Sequence, residues 1–348
     1  MGDAHAHASG LLDDQSGPDQ ALPSDALSAV LRAVSLTGTC FFVMEATGPW
    51  WAEVPSAAAI GSCILPGAQQ LVSYHVVTEG RCWAGLEDGA SLWAEAGDII
   101  VIPHGDCYAL ANAPGVVGEQ PIDASKAFFR QLTAGLLPPT IRYGDSGPPD
   151  LRVLCGFLGC DLLPFNPLLG LLPRLARVPA TGGPGSRRLA RLVELALSES
   201  RERSAGSDVV LLRISELLFV EVIRRHVEAL PPDETSWLAG LRDPVVSRAL
   251  ALLHRHPARA WSLHSLAREV AVSRSVLAER FTRLVGQAPI QYLTRWRMQL
   301  ASRGLLEGKT VASVGLGVGY ESEAAFSRAF KNVVGTPPAA WRRRRQAS

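Results

Sequence analysis

Five side chains in the first half of the sequence have the chemistry of a soft metal site or a redox site. They are His75, Cys82, Cys107, Cys155 and Cys160. Thiolate and imidazole groups are ligands that zinc prefers, and an activated thiol can also respond to oxidation. The C-x4-C spacing of the last two is not a standard zinc spacing, and free cysteines are often small buried hydrophobic residues. Zinc or redox chemistry and simple packing are therefore the two interpretations of this set.

A second set of side chains has the chemistry of base recognition in DNA. Arginine can bind the edge of guanine, glutamate can accept a hydrogen bond from cytosine, and alanine can contact the thymine methyl group. The candidates for contact with DNA, through a base or a phosphate, are Arg274, Ser275, Ala278, Glu279, Arg283, Arg297, Glu323, Ala324, Ser327, Arg328 and Lys331. For any one of them the alternative to a base contact is a phosphate contact or no contact.

The first five candidates lie in a segment that predicts two short helices joined by a turn. In "LHSLAREVAVSRSVLAERFTRLVG" (263–286) a turn at Ala271-Val272 separates two apolar periodicities, and Ser273 is a suitable N-cap. Leu277, Phe281 and Leu284 form the predicted buried face of the second helix. The polar candidates are then left on its outer face. This is a helix-turn-helix, whose second helix can enter the major groove.

The last five candidates repeat this arrangement about 50 residues further along the chain. In "TVASVGLGVGYESEAAFSRAFKNVVG" (310–335), Ser322 is the predicted N-cap, and Phe326, Ala329, Phe330 and Val333 form the predicted buried face. Gly335 and the following Pro-Pro pair can end the helix. The segment "PIQYLTRWRMQLASRGLL" (289–306) predicts a connecting helix with arginines placed for phosphates.

Charge divides the chain in the same place as the motifs. From residue 241 to the end there are 18 Lys and Arg against 6 Asp and Glu, a net charge of +12; the preceding 240 residues have 16 against 27, a net charge of −11. A polyanion such as DNA is therefore the expected partner of the C-terminal part, and affinity should fall steeply with salt.

The first 180 residues predict a different architecture. Residues 1–24 lack the apolar core of a secretory signal and predict a disordered tail. Residues 25–36 predict a short helix, and many short β-prone runs separated by glycine follow up to residue 112, as in a small antiparallel barrel. Residues 113–150 are poor in pattern. Two helices at about 186–203 and 208–229 are then expected to cover the sheet domain or to supply a dimer interface.

The C-terminal motifs resemble the DNA-binding domain of the AraC/XylS family of bacterial transcription regulators. "GYESEAAFSRAFKNVVGTPPAAWR" is very similar to the family signature, and 289–306 is similar to its connecting helix. Leu316-Gly317 stand where the family usually has Ile-Ala, which should loosen that short helix by about 1 kcal/mol. The resemblance implies that eight of the candidates above read bases: Arg274, Ser275, Ala278 and Glu279 in the first module, and Glu323, Ala324, Ser327 and Arg328 in the second.

Two N-terminal segments resemble the cupin motifs, with Gly67, Ser73, His75 and Glu79 in the first and Gly97, Pro103, Tyr108 and Asn112 in the second. Ser73 and Tyr108 stand where cupin enzymes have metal-binding histidines. The resemblance therefore implies a barrel without the enzyme's iron site. It also implies an effector site, for which His75, Glu79, Trp83, Trp93 and Tyr108 are the candidates.

Together these observations predict an α+β multidomain protein. A cupin-like jelly-roll β-barrel precedes a helical linker and an all-α domain with two helix-turn-helix motifs. The predicted boundaries are 1–24 for the tail, 25–180 for the sensor, 186–230 for the linker and dimerisation element, and 237–348 for the DNA-binding domain.

The predicted function is a cytoplasmic, sequence-specific transcription regulator controlled by an effector, and not an enzyme. Double-stranded DNA, a small molecule, RNA polymerase and a second copy of the chain are the expected partners, with no membrane. No cofactor is required, although the cysteines leave zinc open. The alternatives are a cupin-type oxygenase or isomerase tethered to DNA, and an architectural DNA-binding protein without a ligand.

Overall fold

The computed structural model describes residues 26–33, 36–68, 70–116, 118, 120–160, 169, 172–179, 186–202, 204–231 and 235–346. The predicted N-terminal tail, the loop at 181–185 and half of the proline-interrupted segment at 166–175 lie outside these residues. None of the described helices is long and apolar enough to cross a membrane.

The first half of the described chain is a sandwich of two sheets. Its strands are β1 (Leu36–Thr47), β2 (Trp51–Val54), β3 (Gln70–Glu79), β4 (Arg81–Leu86), β5 (Ser91–Glu95), β6 (Ile99–Ile102), β7 (Tyr108–Ala111), β8 (Thr140–Gly144), β9 (Leu151–Cys160) and β10 (Ala176–Val178). Sheet A has the order β10-β6-β3-β9-β1-β8, and sheet B has the order β2-β7-β4-β5. All neighbours are antiparallel except β1 and β8, which are parallel. The two sheets pack as a jelly-roll sandwich and do not close into the predicted barrel.

Thirteen helices accompany these strands in the described part of the chain. They are α1 (Ala26–Ala33), α2 (Ala57–Ile64), α3 (Ile122–Thr133), α4 (Ser186–Glu202), α5 (Ser207–Ala229), α6 (Trp237–Gly240), α7 (Pro244–Arg255), α8 (Leu263–Glu269), α9 (Arg274–Val285), α10 (Pro289–Leu306), α11 (Val311–Gly317), α12 (Glu323–Val334) and α13 (Pro338–Gln346). The predicted C-terminal helices agree within one or two residues. Helix α3 lies in the segment that the sequence left without pattern, and α2 lies in one that predicted only strands.

Strands β3 and β9 are central in sheet A and are apolar on both faces. Their inner residues join sheet B in one core, which holds Phe42, Val77, Cys155 and Phe157. Their outer residues, such as Val72 and Leu158, pack under the helices in a second core. This two-sided burial explains the nearly unbroken apolar run "LRVLCGFLGC", because a strand covered on both faces loses the alternation of a surface strand.

Tyr74 connects the outer face of sheet A to helix α5. Its hydroxyl donates to Ser215 Oγ at 3.2 Å, and Thr39 Oγ1 lies 3.1 Å from the same atom. Ser215 in turn donates to the carbonyl of Leu211 at 2.8 Å. The ring crosses the neighbouring strand where Gly156 leaves room, since a Cβ at that glycine would lie 2.2 Å from Tyr74 Cζ. The position therefore requires glycine.

Gly156→Ala should consequently displace the Tyr74 ring and weaken the docking of α5. We expect the free energy of unfolding to fall by about 1–3 kcal/mol, as for other overpacked cores. Gly61→Ala in α2 is the matched control, because a Cβ there has no atom within 4 Å and alanine favours a helix. Urea unfolding measures both variants, and wild-type stability for Gly156→Ala would contradict the assignment.

Candidate functional site

The two recognition helices, α9 and α12, are built in the same way. Ser273 accepts from Val276 N at 3.3 Å, and Ser322 accepts from Ala325 N at 3.2 Å, so both N-caps are as predicted. At the other end of each helix a left-handed glycine, Gly286 or Gly335, terminates the hydrogen bonding. A helix of 12 residues is marginal in isolation, so each recognition helix depends on its capped ends and its buried face for stability.

Aromatic side chains fix the buried face of each recognition helix. In α9, Phe281 is fully buried and lies edge-to-face against Tyr292, at 5.8 Å between ring centroids. In α12, Phe326 and Phe330 are fully buried, and Phe330 also contacts Trp341 of α13 at 5.9 Å. Val333 was predicted to share this buried face, but it is exposed, and its neighbour Val334 packs against the core.

The outer faces of α9 and α12 carry the side chains that were predicted to contact DNA. Arg274, Ser275, Glu279 and Arg283 are exposed on α9 with Ala278 half-buried; Glu323, Ala324, Arg328 and Lys331 are exposed on α12 with Ser327 half-buried. Arg274, Arg283, Arg328 and Lys331 make no ion pair within the described part of the chain. Their charges are available to DNA, although each base contact stays a prediction.

Arg297 is placed differently from the other candidates. It is half-buried on α10, and its guanidinium donates to the carbonyls of Pro257 at 2.7 Å and Arg259 at 2.9 Å. Burial lowers its pKa from the usual value. The DNA contact predicted for Arg297 therefore competes with bonds inside the domain.

The turns of the two modules differ in their central residue. Ala271 adopts a φ of 57° in the first turn, and Gly319 adopts a φ of 89° at the equivalent place in the second. An alanine in this conformation costs about 1–2 kcal/mol. Only the second turn has a steric reason for glycine, since a Cβ there would lie 2.4 Å from Ala258 O.

The interior of the sandwich contains a buried His–Tyr pair. His75 of β3 and Tyr108 of β7 approach across the two sheets, with 2.6 Å between Nε2 and the phenol oxygen. Burial lowers the pKa of His75 to about 3 and raises that of Tyr108, so both groups are neutral near pH 7. The phenol can then donate to Nε2, which leaves the imidazole proton on Nδ1. That nitrogen has no hydrogen-bond partner among the described protein atoms.

His75 also lines a small cavity between the sheets. Its walls are mainly aromatic and apolar, with a few polar groups: Phe42, Met44, Ala52, Glu53, Val54, His75, Leu110, Gln120, Phe128, Phe129, Tyr143, Cys155 and Phe157. The space open to the centre of a water molecule is about 20 Å³, enough for roughly one water. Helix α3 supplies Phe128 and Phe129, which the sequence prediction missed. The signal was present, because Ser125, Phe129 and Leu132 recur at helical spacing and are all buried.

Three other predicted effector residues lie away from this cavity. Glu79 is at the exposed end of β3, where it pairs with Arg152. Trp83 and Trp93 are lateral partners in sheet B, on the face opposite to the buried Cys82 and Ala94. Trp93 is further covered by Arg81, whose Cζ lies 5.0 Å from the ring centroid. The effector candidates in the cavity region are therefore His75 and Tyr108 alone.

The structure places Cys160 apart from the other predicted thiols, whereas Cys82 and Cys155 share one core and Cys155 is the lateral partner of His75. Cys155 and Cys160 are on the same strand but in different cores, because residues five apart on a strand point to opposite faces. Burial raises the pKa of Cys82 to about 12 and that of Cys155 well above its usual value. Cys107 is half-buried, and burial together with Glu87 and Glu53 raises its pKa to about 12. In the described residues no three His, Cys, Asp or Glu side chains meet that could hold a metal ion.

The family comparisons agree with both halves of the structure. A cupin family model matches residues 25–228, and a helix-turn-helix domain model matches residues 266–344. An AraC-like transcription regulator of Streptomyces lividans is 36% identical over 286 residues, covering 79% of this chain and 88% of that protein. A second AraC-like regulator, from Streptomyces antibioticus, is 34% identical over 277 residues, covering 79% and 88% of the two chains.

This chain belongs to the AraC-like family of transcription regulators. The HTH-type transcriptional regulator AlkR of Acinetobacter baylyi is also similar, at 28% identity over 309 residues, or 88% of this chain and 95% of that one. The AraC-like regulator described here is therefore a DNA-binding protein with a cupin-type N-terminal domain. These relatives are named as regulators, and the enzyme alternative is not favoured.

Arg328 gives the most direct test of base reading by this AraC-like regulator. If its guanidinium binds guanine, Arg328→Ala should cost about 1–3 kcal/mol at one base position and relax the preference there. Arg295→Ala, on the connecting helix whose arginines are placed for phosphates, is the control for a basic residue that contacts phosphate. Competition binding with single-base operator variants distinguishes them, and an equal loss on every sequence would assign Arg328 to phosphate instead.

The cysteines give a second test. Five of the six are buried and Cys107 is half-buried, so the native protein should expose at most one fast-reacting thiol and release six after denaturation. Ellman titration with and without guanidinium measures this. Two or more fast thiols in the folded protein, or stoichiometric zinc in elemental analysis, would favour the metal or redox interpretation over packing.

Proposed function

We propose that an organic small molecule, bound in the interior of the cupin-type domain, controls the affinity of this regulator for DNA. The supporting observation is one apolar core to which the outer face of sheet A, α5 and the first helix-turn-helix module all contribute. Its buried members include Val43, Val72 and Leu158 from the sheet, Leu218, Phe219 and Val222 from α5, and Leu250, Leu277, Phe281 and Trp296 from the DNA-binding part.

The N-terminal helix α1 reinforces this connection, because it packs on α7 of the first module. Val30 is fully buried in the shared core, and His254 Nδ1 lies 3.3 Å from the carbonyl oxygen of Ala26. Burial lowers the pKa of His254 to about 3, so the ring is neutral. Tyr292 accepts from Trp237 Nε1 at 3.0 Å and can donate to His254 Nε2 at 2.7 Å. The remaining imidazole proton is then available to Ala26.

The proposed effector site is the cavity beside His75. An aromatic wall with few polar groups is typical of small-molecule sites, and the unpartnered Nδ1–H of His75 can donate to a ligand acceptor. A ligand larger than water must widen the cavity and so move strands of sheet A. Because the outer face of that sheet carries Tyr74 and α5, such a ligand would bind two states of the chain differently, which is the requirement for control of DNA affinity.

The remaining parts of the proposal concern assembly and location. Leu195 of α4 and Val209, Val210 and Leu217 of α5 are exposed apolar side chains, which supports a homodimer formed through these helices. We expect RNA polymerase to be a partner at the promoter and the protein to act in the cytoplasm. Zinc as a ligand stays a prediction from the sequence.

The proposal is tested on the operator that footprinting locates in DNA flanking the gene. Operator affinity of the full chain is measured with and without the small-molecule fraction of the source cells. We expect a change of about 5- to 150-fold, and its loss in His75→Leu with basal binding retained. Trp93→Phe, on the outer face of sheet B, is the control that should respond normally. An unchanged response in His75→Leu would contradict the proposed site.

A further inference from the structure

Arg297 stands where three segments of the DNA-binding part meet. It projects from α10, the helix that connects the two modules. Its Nε donates to the carbonyl of Pro257 at 2.7 Å, and Nη2 donates to that of Arg259 at 2.9 Å. Both carbonyls belong to the loop between α7 and α8, which is part of the first module. One planar guanidinium thus ties the connecting helix to the first module by two bonds.

The second module contacts the same place. Tyr320 follows the turn of that module, and its ring centroid lies 5.6 Å from Arg297 Cζ. The adjoining residue, Gly319, is so close to the loop that an added Cβ would lie 2.4–2.8 Å from backbone atoms of Ala258. The turn of the second module therefore packs directly on the loop of the first, with the guanidinium beside it.

We propose that this junction, formed by Pro257–Arg259, Arg297 and Gly319–Tyr320, sets the spacing of the two DNA boxes that the protein recognises. Two modules joined only by α10 could pivot about the ends of that helix. A third contact, from the loop of one module to the turn of the other, removes this freedom. With the orientation of α9 relative to α12 fixed, half-site spacing becomes a geometric property of the protein.

The residue types at the junction suit this positioning role. The fork of arginine can serve two carbonyls and still present a flat face to an aromatic ring, which the single ammonium of lysine cannot do. Cation–π contact adds to the hydrogen bonds. Arg295, two residues earlier on the same helix, is exposed and donates to Gln287 Oε1 at 3.4 Å. Arg295 is therefore a matched control with the same charge.

The test uses the full chain and a duplex recovered from random DNA by in vitro selection, with variants that insert or remove one base pair between its two boxes. Wild-type protein should lose about tenfold or more in affinity when the spacing changes, as for a mismatched base pair. Arg297→Gln should bind the selected duplex more weakly and lose most of this spacing preference. Arg295→Gln should keep the wild-type ratio between spacings.

A phosphate contact by Arg297 gives a different result. In that case Arg297→Gln would lower the slope of log affinity against log salt by about 0.9 and leave the spacing ratio unchanged, and this outcome overturns the proposal. Tyr320→Leu gives a second, charge-neutral variant of the junction that does not depend on the folding of Arg297→Gln. It should relax the spacing preference without altering the salt slope, and a wild-type spacing ratio in Tyr320→Leu would also overturn the proposal.

Discussion

The central strands of sheet A are buried on both faces, and the connection between the two halves of this regulator depends on that constraint. Because side chains alternate along a strand, neighbouring residues on β3 contact different elements on the two faces of the sheet. His75 faces the interior and Tyr108, whereas Tyr74 faces outward and reaches Ser215 on α5. The neighbouring strand β9 adapts to both, with Cys155 inside and Gly156 under the Tyr74 ring. A displacement of β3 therefore moves side chains on both faces of the sheet.

In the DNA-binding part, short helices must be held rigidly while their polar faces stay exposed. Aromatic side chains supply most of the anchoring, so the exposed residues of α9 and α12 can be selected for DNA alone. The basic charge of this part attracts DNA without specifying a sequence. Specificity then requires that both helices present their side chains at a fixed distance, and the junction around Arg297 contributes to this rigidity.

The sequence predicted the C-terminal helices well, because their apolar periodicity is strong and the two recognition helices each begin at a serine N-cap and end at a glycine. It predicted less of the sensor domain. There the contacts of a side chain depend on the strand face on which it lies and on its partner in the neighbouring strand. Cys155 and Cys160 are separated by an odd number of positions. Once both are assigned to one strand, this alone places them on opposite faces. The outward position of Trp83 and Trp93 required the register of sheet B. Helix α3 was missed because the many Pro and Gly residues around it are typical of a loop, although Pro121 and Gly135 in fact flank the helix. The role of Arg297 depended on a loop forty residues earlier, beyond the reach of local patterns.

The central claim is that sheet A, α5 and the first helix-turn-helix module form one cooperative core. Hydrogen exchange of the full chain measures this directly when Phe219, which lies between α5 and sheet A, is changed to alanine. The shared core predicts faster exchange in α7 as well as in sheet A, with protection in α12 retained because it belongs to a separate core. Faster exchange confined to α5 and sheet A, with α7 unchanged, would contradict the account.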